Sequence, residues 1–129
     1  MTHCSLIALC FSTFLVSGCG ANHLVKKGNA HMAAQRPDSA ASEFQRALDK
    51  EPSHTGALRG MASSYLMRKQ PIRAILPAQR AASAGDLESK KLLVRALLTT
   101  GRSADALRHA TEGREAAADD AQFRMLLVE

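Results

Sequence analysis

Pro37-Asp38-Ser39-Ala40-Ala41-Ser42-Glu43-Phe44-Gln45-Arg46-Ala47-Leu48-Asp49-Lys50-Glu51-Pro52 is the stretch on which the reading of the fold turns. Ala40, Ala41, Phe44, Ala47 and Leu48 recur at three- and four-residue intervals, which places them on one stripe of an amphipathic helix. Pro37 suits a first turn, where an N–H is spare, and Glu51-Pro52-Ser53 stops the helix, with Ser53 able to cap the next. The same punctuation returns further along. Gly28 recurs as Ala62, Pro37 as Pro71, Ala40 as Ala74 and Ala47 as Ala81, a period of about 34 residues. A third pass, at about 32, carries Ala74 to Ala106 and Ile75 to Leu107. A period in this range marks stacked two-helix units, each with an apolar face that only its neighbour can cover.

The spacing predicts helices over 23–35, 38–51, 55–69, 71–84, 87–100 and 103–117, with a short seventh over 120–128. In the first of these, Leu24, Val25, Gly28, His31 and Met32 share a face. The units run 21–54, 55–86 and 87–120, with a partial one at 121–129, inside a domain of residues 23–129. Gly101 is expected to end a helix in the left-handed conformation. Pro77 falls inside the fourth helix, where it lacks an N–H and crowds the carbonyl of Arg73, so a bend is expected between them. Abundant Ala, few aromatics and no Trp suit helices that approach closely.

This pattern resembles the tetratricopeptide repeat family. Gly28, Ala40, Phe44, Ala47 and Pro52 match in the first unit; Ala62, Tyr65, Ala74 and Ala81 match in the second. Leu93, Gly101, Ala106 and Ala110 match in the third. The resemblance implies an all-α fold, a right-handed superhelical stack of antiparallel helix pairs with about three repeats plus a short terminal helix. In that pattern an aromatic fills the wedge between one pair and the next. Phe44 does so in the first unit, whereas Ala78 stands there in the second and implies a thinner wedge.

Before the repeats, residues 6–16 form an uncharged apolar block, too short for the roughly 20 residues that cross a bilayer. It closes on Leu15-Val16-Ser17-Gly18-Cys19, which resembles a bacterial lipobox. The expectation is a lipoprotein signal peptide over 1–18, cut so that Cys19 carries lipid and 19–22 forms the tether. Met1 to Ser5 offers only His3 and the α-amino group where such signals carry Lys or Arg. Cys4 and Cys10 fall in the segment to be removed, so Cys19 remains alone, with no thiol for a disulfide or metal site. Acyl chains would anchor it at about 0.8 kcal/mol per buried methylene. Gly20 after the cysteine, in place of Asp, implies an outer-membrane location facing the periplasm.

The chain carries 17 Lys and Arg against 12 Asp and Glu, a net charge of +5, all beyond residue 18. Their dispersion over every helix and the lack of stacking aromatics argue against nucleic acid. His23, His31, His54 and His109 are scattered, so no metal or other cofactor is expected. No phosphate loop or nucleophile motif stands out, and an enzyme is not expected. Instead the first helix of each unit lines a concave face, which the register assigns to Asn29, Met32, Arg59, Ser63, Leu66, Met67, Lys91, Arg95 and Leu98. That mixture suits a peptide of acidic character. Some members of the family clamp a peptide's terminal carboxylate with Lys and Asn; here Asn29 matches, and Val25 and Gly60 depart. The expected role is a non-enzymatic adaptor that binds a protein or peptide segment, such as a secretin or pilus component, during pilus or secretion assembly. Outer-membrane protein assembly, or recruitment of a cell-wall enzyme, is the other reading.

Overall fold

The computed structural model describes residues 14–116. Six helices follow one another: α1 Phe14–Ala33, α2 Pro37–Lys50, α3 Thr55–Met67, α4 Pro71–Ser83, α5 Leu87–Thr99 and α6 Ser103–Ala116. No strand occurs among the described residues. From α2 onward the helices agree with the expected spans to within a turn. The expected helix at 120–128, the partial unit 121–129 and the leading residues 1–13 lie outside the described residues. Consecutive helices pack on one another, and α1, α3 and α5 also lie side by side, so the odd-numbered helices form one continuous face.

The first helix departs from expectation. It starts at Phe14, not at 23, and runs unbroken across the junction of Gly18 and Cys19. Residues 19–22, expected as a tether, are part of this helix. Ala21 is fully buried in a cluster with Leu24, Ala47 and Ala57, and Asn22 meets the His54 ring 2.9 Å away. The physical reason is periodic: Ala21, Leu24 and Gly28 are spaced by three and four, so the buried stripe of the first unit extends upstream.

Four of the five connections use one device. A left-handed residue follows the helix, at Gln35 (φ 58°), Lys69 (φ 57°), Gly85 (φ 89°) and Gly101 (φ 77°). At Gln35 and Arg36 the N–H groups donate back to Met32 and His31, and the same pair of bonds recurs at Lys69–Gln70, Gly85–Asp86 and Gly101–Arg102. This satisfies carbonyls that a helix end leaves bare and turns the chain sharply enough for the next helix to run antiparallel. Gly101 has the conformation expected of it. The connection from α2 to α3 is different and relies on Pro52. There the cap is His54 rather than Ser53: its Nδ1 accepts from the Ala57 N–H, leaving Nε2–H for the side-chain oxygen Oδ1 of Asn22. Farther on, Arg102 hydrogen-bonds to Asp105 in the first turn of α6, and this bond and its charge hold the Asp105 carboxyl below the usual carboxylate range. What that surface contact adds to stability is present above the ordinary range and fades as pH falls through the lowered value.

One aromatic ring locks the first unit to the second. Phe44 on α2 is fully buried, and it lies against two glycines. A Cβ placed on Gly28 of α1 would fall 2.5 Å from the ring, and one on Gly60 of α3 only 2.3 Å. The ring thus takes up the space of both missing side chains. One period later the same three sites are Ala62, Ala78 and Val94, all buried in one cluster. Ala78 leaves no thin wedge, because Val94 supplies from α5 the bulk that Phe44 supplied from α2. Volume is conserved between units while its source changes sides.

α4 continues as a helix through Pro77 from Pro71 to Ser83. Pro77 still has no N–H to give Arg73. We expect Pro77→Ala to raise stability by about 1 kcal/mol or more, since an interior proline costs a helix up to about 3. In a thermal melt that is about 4–8 °C for each kcal/mol. An unchanged midpoint would mean that the helix has already absorbed the proline at no cost.

Candidate functional site

The concave face carries a cavity of about 610 Å³. Met32 of α1 forms one wall, and Ser63, Leu66 and Met67 of α3 form its middle. Leu92, Arg95 and Thr99 of α5 close the far side, while Lys69 and Pro71 of the α3–α4 turn close one end. The three odd helices present these residues because their opposite stripes are consumed by Ala- and Leu-rich packing against α2, α4 and α6. Beneath the groove, buried Ser64 donates to the Gly60 carbonyl at 2.9 Å and lies 3.3 Å from the Met32 sulfur. That contact ties α1 to α3 and fixes the thioether in its wall.

Five of the nine residues assigned to this face from the sequence line the cavity: Met32, Ser63, Leu66, Met67 and Arg95. Asn29 is exposed on α1 outside it, and Leu98 is also exposed outside it. Arg59 reaches Asp86 at 2.9 Å. Asp86 at the same time caps α5 by accepting from the Ser89 N–H at 2.9 Å and from its hydroxyl. Lys91 pairs with Glu88 at 3.0 Å, and its side chain is only 11% exposed. The division has an electrostatic cause. Carboxylates favour the positive N-terminal end of α5, so Asp86 and Glu88 gather there and neutralise the cations beside them. At the other end of the groove, Arg95 and Lys69 are in no ion pair among the described residues. The candidate clamp does not assemble either: Val25 packs in the core, and Gly60 is occupied by the Phe44 ring.

Lys69, Pro71, Leu92 and Thr99 were absent from the sequence assignment. Leu92, Arg95 and Thr99 follow a three-then-four spacing that a careful register of α5 could have found. Nothing in the local sequence marks Lys69 as a groove residue. Its place depends on the left-handed turn that swings its side chain to the mouth.

The surface is therefore an apolar trough with two cations at one end that are in no ion pair among the described residues. Among the described residues no three His, Cys, Asp or Glu stand close enough to hold a metal ion. No described helix is long and apolar enough to cross a membrane. Cys19 is exposed and carries a free thiol.

Residues 25–88 match the model of the tetratricopeptide repeat family. No curated protein matches the chain. Among solved structures, the second tetratricopeptide domain of human RPAP3, in complex with the HSP70 peptide SGPTIEEVD, superposes with a TM-score of 0.82. It is 13% identical, over 87% of this chain and 95% of that one. The first such domain of human RPAP3 gives 0.80 at 17% identity, covering 84% and 87%. The Sgt2 domain of Aspergillus fumigatus gives 0.78 at 21% identity, covering 84% and 74%. Six helices in this arrangement make the tetratricopeptide fold, and proteins of that family are in general interaction modules and not enzymes.

Proposed function

From a chain that carries tetratricopeptide repeats across residues 25–88, we propose a non-enzymatic adaptor whose groove holds an acidic, partly apolar segment of another protein. The observation that carries this reading is the apolar trough with Arg95 and Lys69 at one end. Buried apolar contacts would supply the affinity, and the two cations would select the carboxylates. The second RPAP3 domain, of the same fold, binds a peptide that is itself acidic.

The adaptor is moored through Cys19 as a lipoprotein of the outer membrane, facing the periplasm, and it helps a pilus or secretion channel to assemble. Support comes from the small residues before Cys19 and from its exposure in the folded chain. Cleavage there would require residues 14–18 to leave α1. Since Ala21 is already core, the lipid would sit directly on the first helix, with no slack between bilayer and domain. Holding the partner near the membrane then raises its local concentration without a chemical step.

Two measurements test this. Labelled palmitate should enter the wild-type protein and not Cys19→Ala; equal labelling, or none in either, removes the mooring. In capture from solubilised envelopes, secretin or pilus subunits should co-purify with wild type and be lost with Arg95→Glu. Recovery of envelope-maintenance proteins instead would move the adaptor to that system.

A further inference from the structure

Ile72 stands at the start of α4 with 74% of its surface exposed. The fold does not need an apolar side chain there. One repeat earlier the equivalent site holds Asp38, which pairs with Arg68 at 2.8 Å. Around Ile72 lies a second cavity of about 550 Å³, walled by Lys69, Gln70, Pro71, Arg73, Thr99 and Thr100. Lys69, Pro71 and Thr99 line this cavity and the groove alike. The two hollows are therefore one surface that passes over the α3–α4 turn, with Lys69 on the ridge between them. Its left-handed backbone (φ 57°) lifts it there, and no carboxylate among the described residues pairs with it.

We propose that the segment bound in the groove continues over this turn, sets a carboxylate at Lys69 and seats a second apolar side chain against Ile72. This deepens the adaptor reading and rests on it. The occupant is an extended acidic stretch of a partner protein with an apolar residue at each end. A straight amphipathic helix would present both anchors on one face and could not follow the bend. A second copy of this chain, itself +5, would bring cations toward Lys69 and Arg95. A lipid surface could reach Ile72 but could not descend into the concave trough. Apolar contacts at both ends give binding strength, and the cation between them sets the register.

The test is selection of a random decapeptide display library on the full chain, followed by fluorescence anisotropy with the best labelled peptide. Selected sequences should place carboxylates between two apolar residues. Ile72→Asp, at so exposed a site, should keep its helical circular dichroism yet weaken that peptide by about tenfold or more. A peptide shortened by its distal apolar residue should bind wild type and Ile72→Asp equally. If Ile72→Asp binds within about twofold of wild type while Met67→Asp abolishes binding, the second seat is overturned and the groove stands. If Met67→Asp and Arg95→Glu change nothing, or no peptide is selected, both readings fall.

Discussion

Phe44→Ala is expected to lower stability by about 3–5 kcal/mol, and Gly60→Val in the same chain to recover a substantial part of that loss. The first number follows from a fully buried ring whose removal leaves a cavity between three helices. The second follows from the molecule's own second unit, where Ala62, Ala78 and Val94 fill the equivalent space from the opposite side. Added alone to the wild type, Gly60→Val should be damaging. A Cβ at that site already falls 2.3 Å from the ring, and Gly28 blocks retreat on the other side, since its own Cβ would fall 2.5 Å away. The same substitution thus changes sign with its background, and a double-mutant cycle should show coupling of about 1–3 kcal/mol. Urea unfolding followed by circular dichroism measures all four corners. Where Phe44→Ala proves too unstable to fold, Phe44→Leu serves with smaller values. A cost for Gly60→Val that is equal in both backgrounds would show that ring and glycines do not share one space.

Reversing both cations at the end of the groove, Lys69→Glu with Arg95→Glu, should weaken an acidic peptide by about 10- to 100-fold. An exposed ion pair contributes only about 0.2–1 kcal/mol, but reversal turns each attraction into repulsion, so the two sites together reach about 1–3. Neither side chain is in an ion pair among the described residues, so the fold should be little disturbed. Arg59→Glu provides the contrast. It breaks the contact with Asp86, so it should appear mainly in stability and only weakly in peptide affinity. Titrations in low and high salt separate the causes: the loss should shrink in concentrated salt, where unit charges a few ångströms apart are screened. A loss that is independent of salt, or as large for Arg59→Glu, would remove the cations as selectors of the partner.

The helices and their order were legible because they depend on near neighbours in the chain. Ala40, Phe44 and Ala47 announce a helix face by spacing alone, and Gly101 ends a helix whatever lies beside it. Helix α1 was read too short because the apolar leader masked the continuation of its stripe through Ala21. Among groove residues the sequence reading found Met32, Ser63, Leu66, Met67 and Arg95, for these face the trough by helical register. It could not separate them from Arg59, which sits on the same face, although Glu88 three residues before Lys91 marks that lysine as paired. Only folding brings Asp86 to Arg59, 27 positions away, whereas Glu88 sits three residues from Lys91 on the same helix; Arg95 is in no ion pair among the described residues.

The repeat, the all-α stack and the identity of its small-residue faces were thus determined by the sequence, since periodicity is a property of one strand of residues. That Asp86 takes up Arg59, and whether Phe44 or Val94 fills a given wedge, was decided by tertiary structure. The Arg59–Asp86 contact and the packed volume of a wedge both join residues some 30 positions apart, and no local pattern carries them.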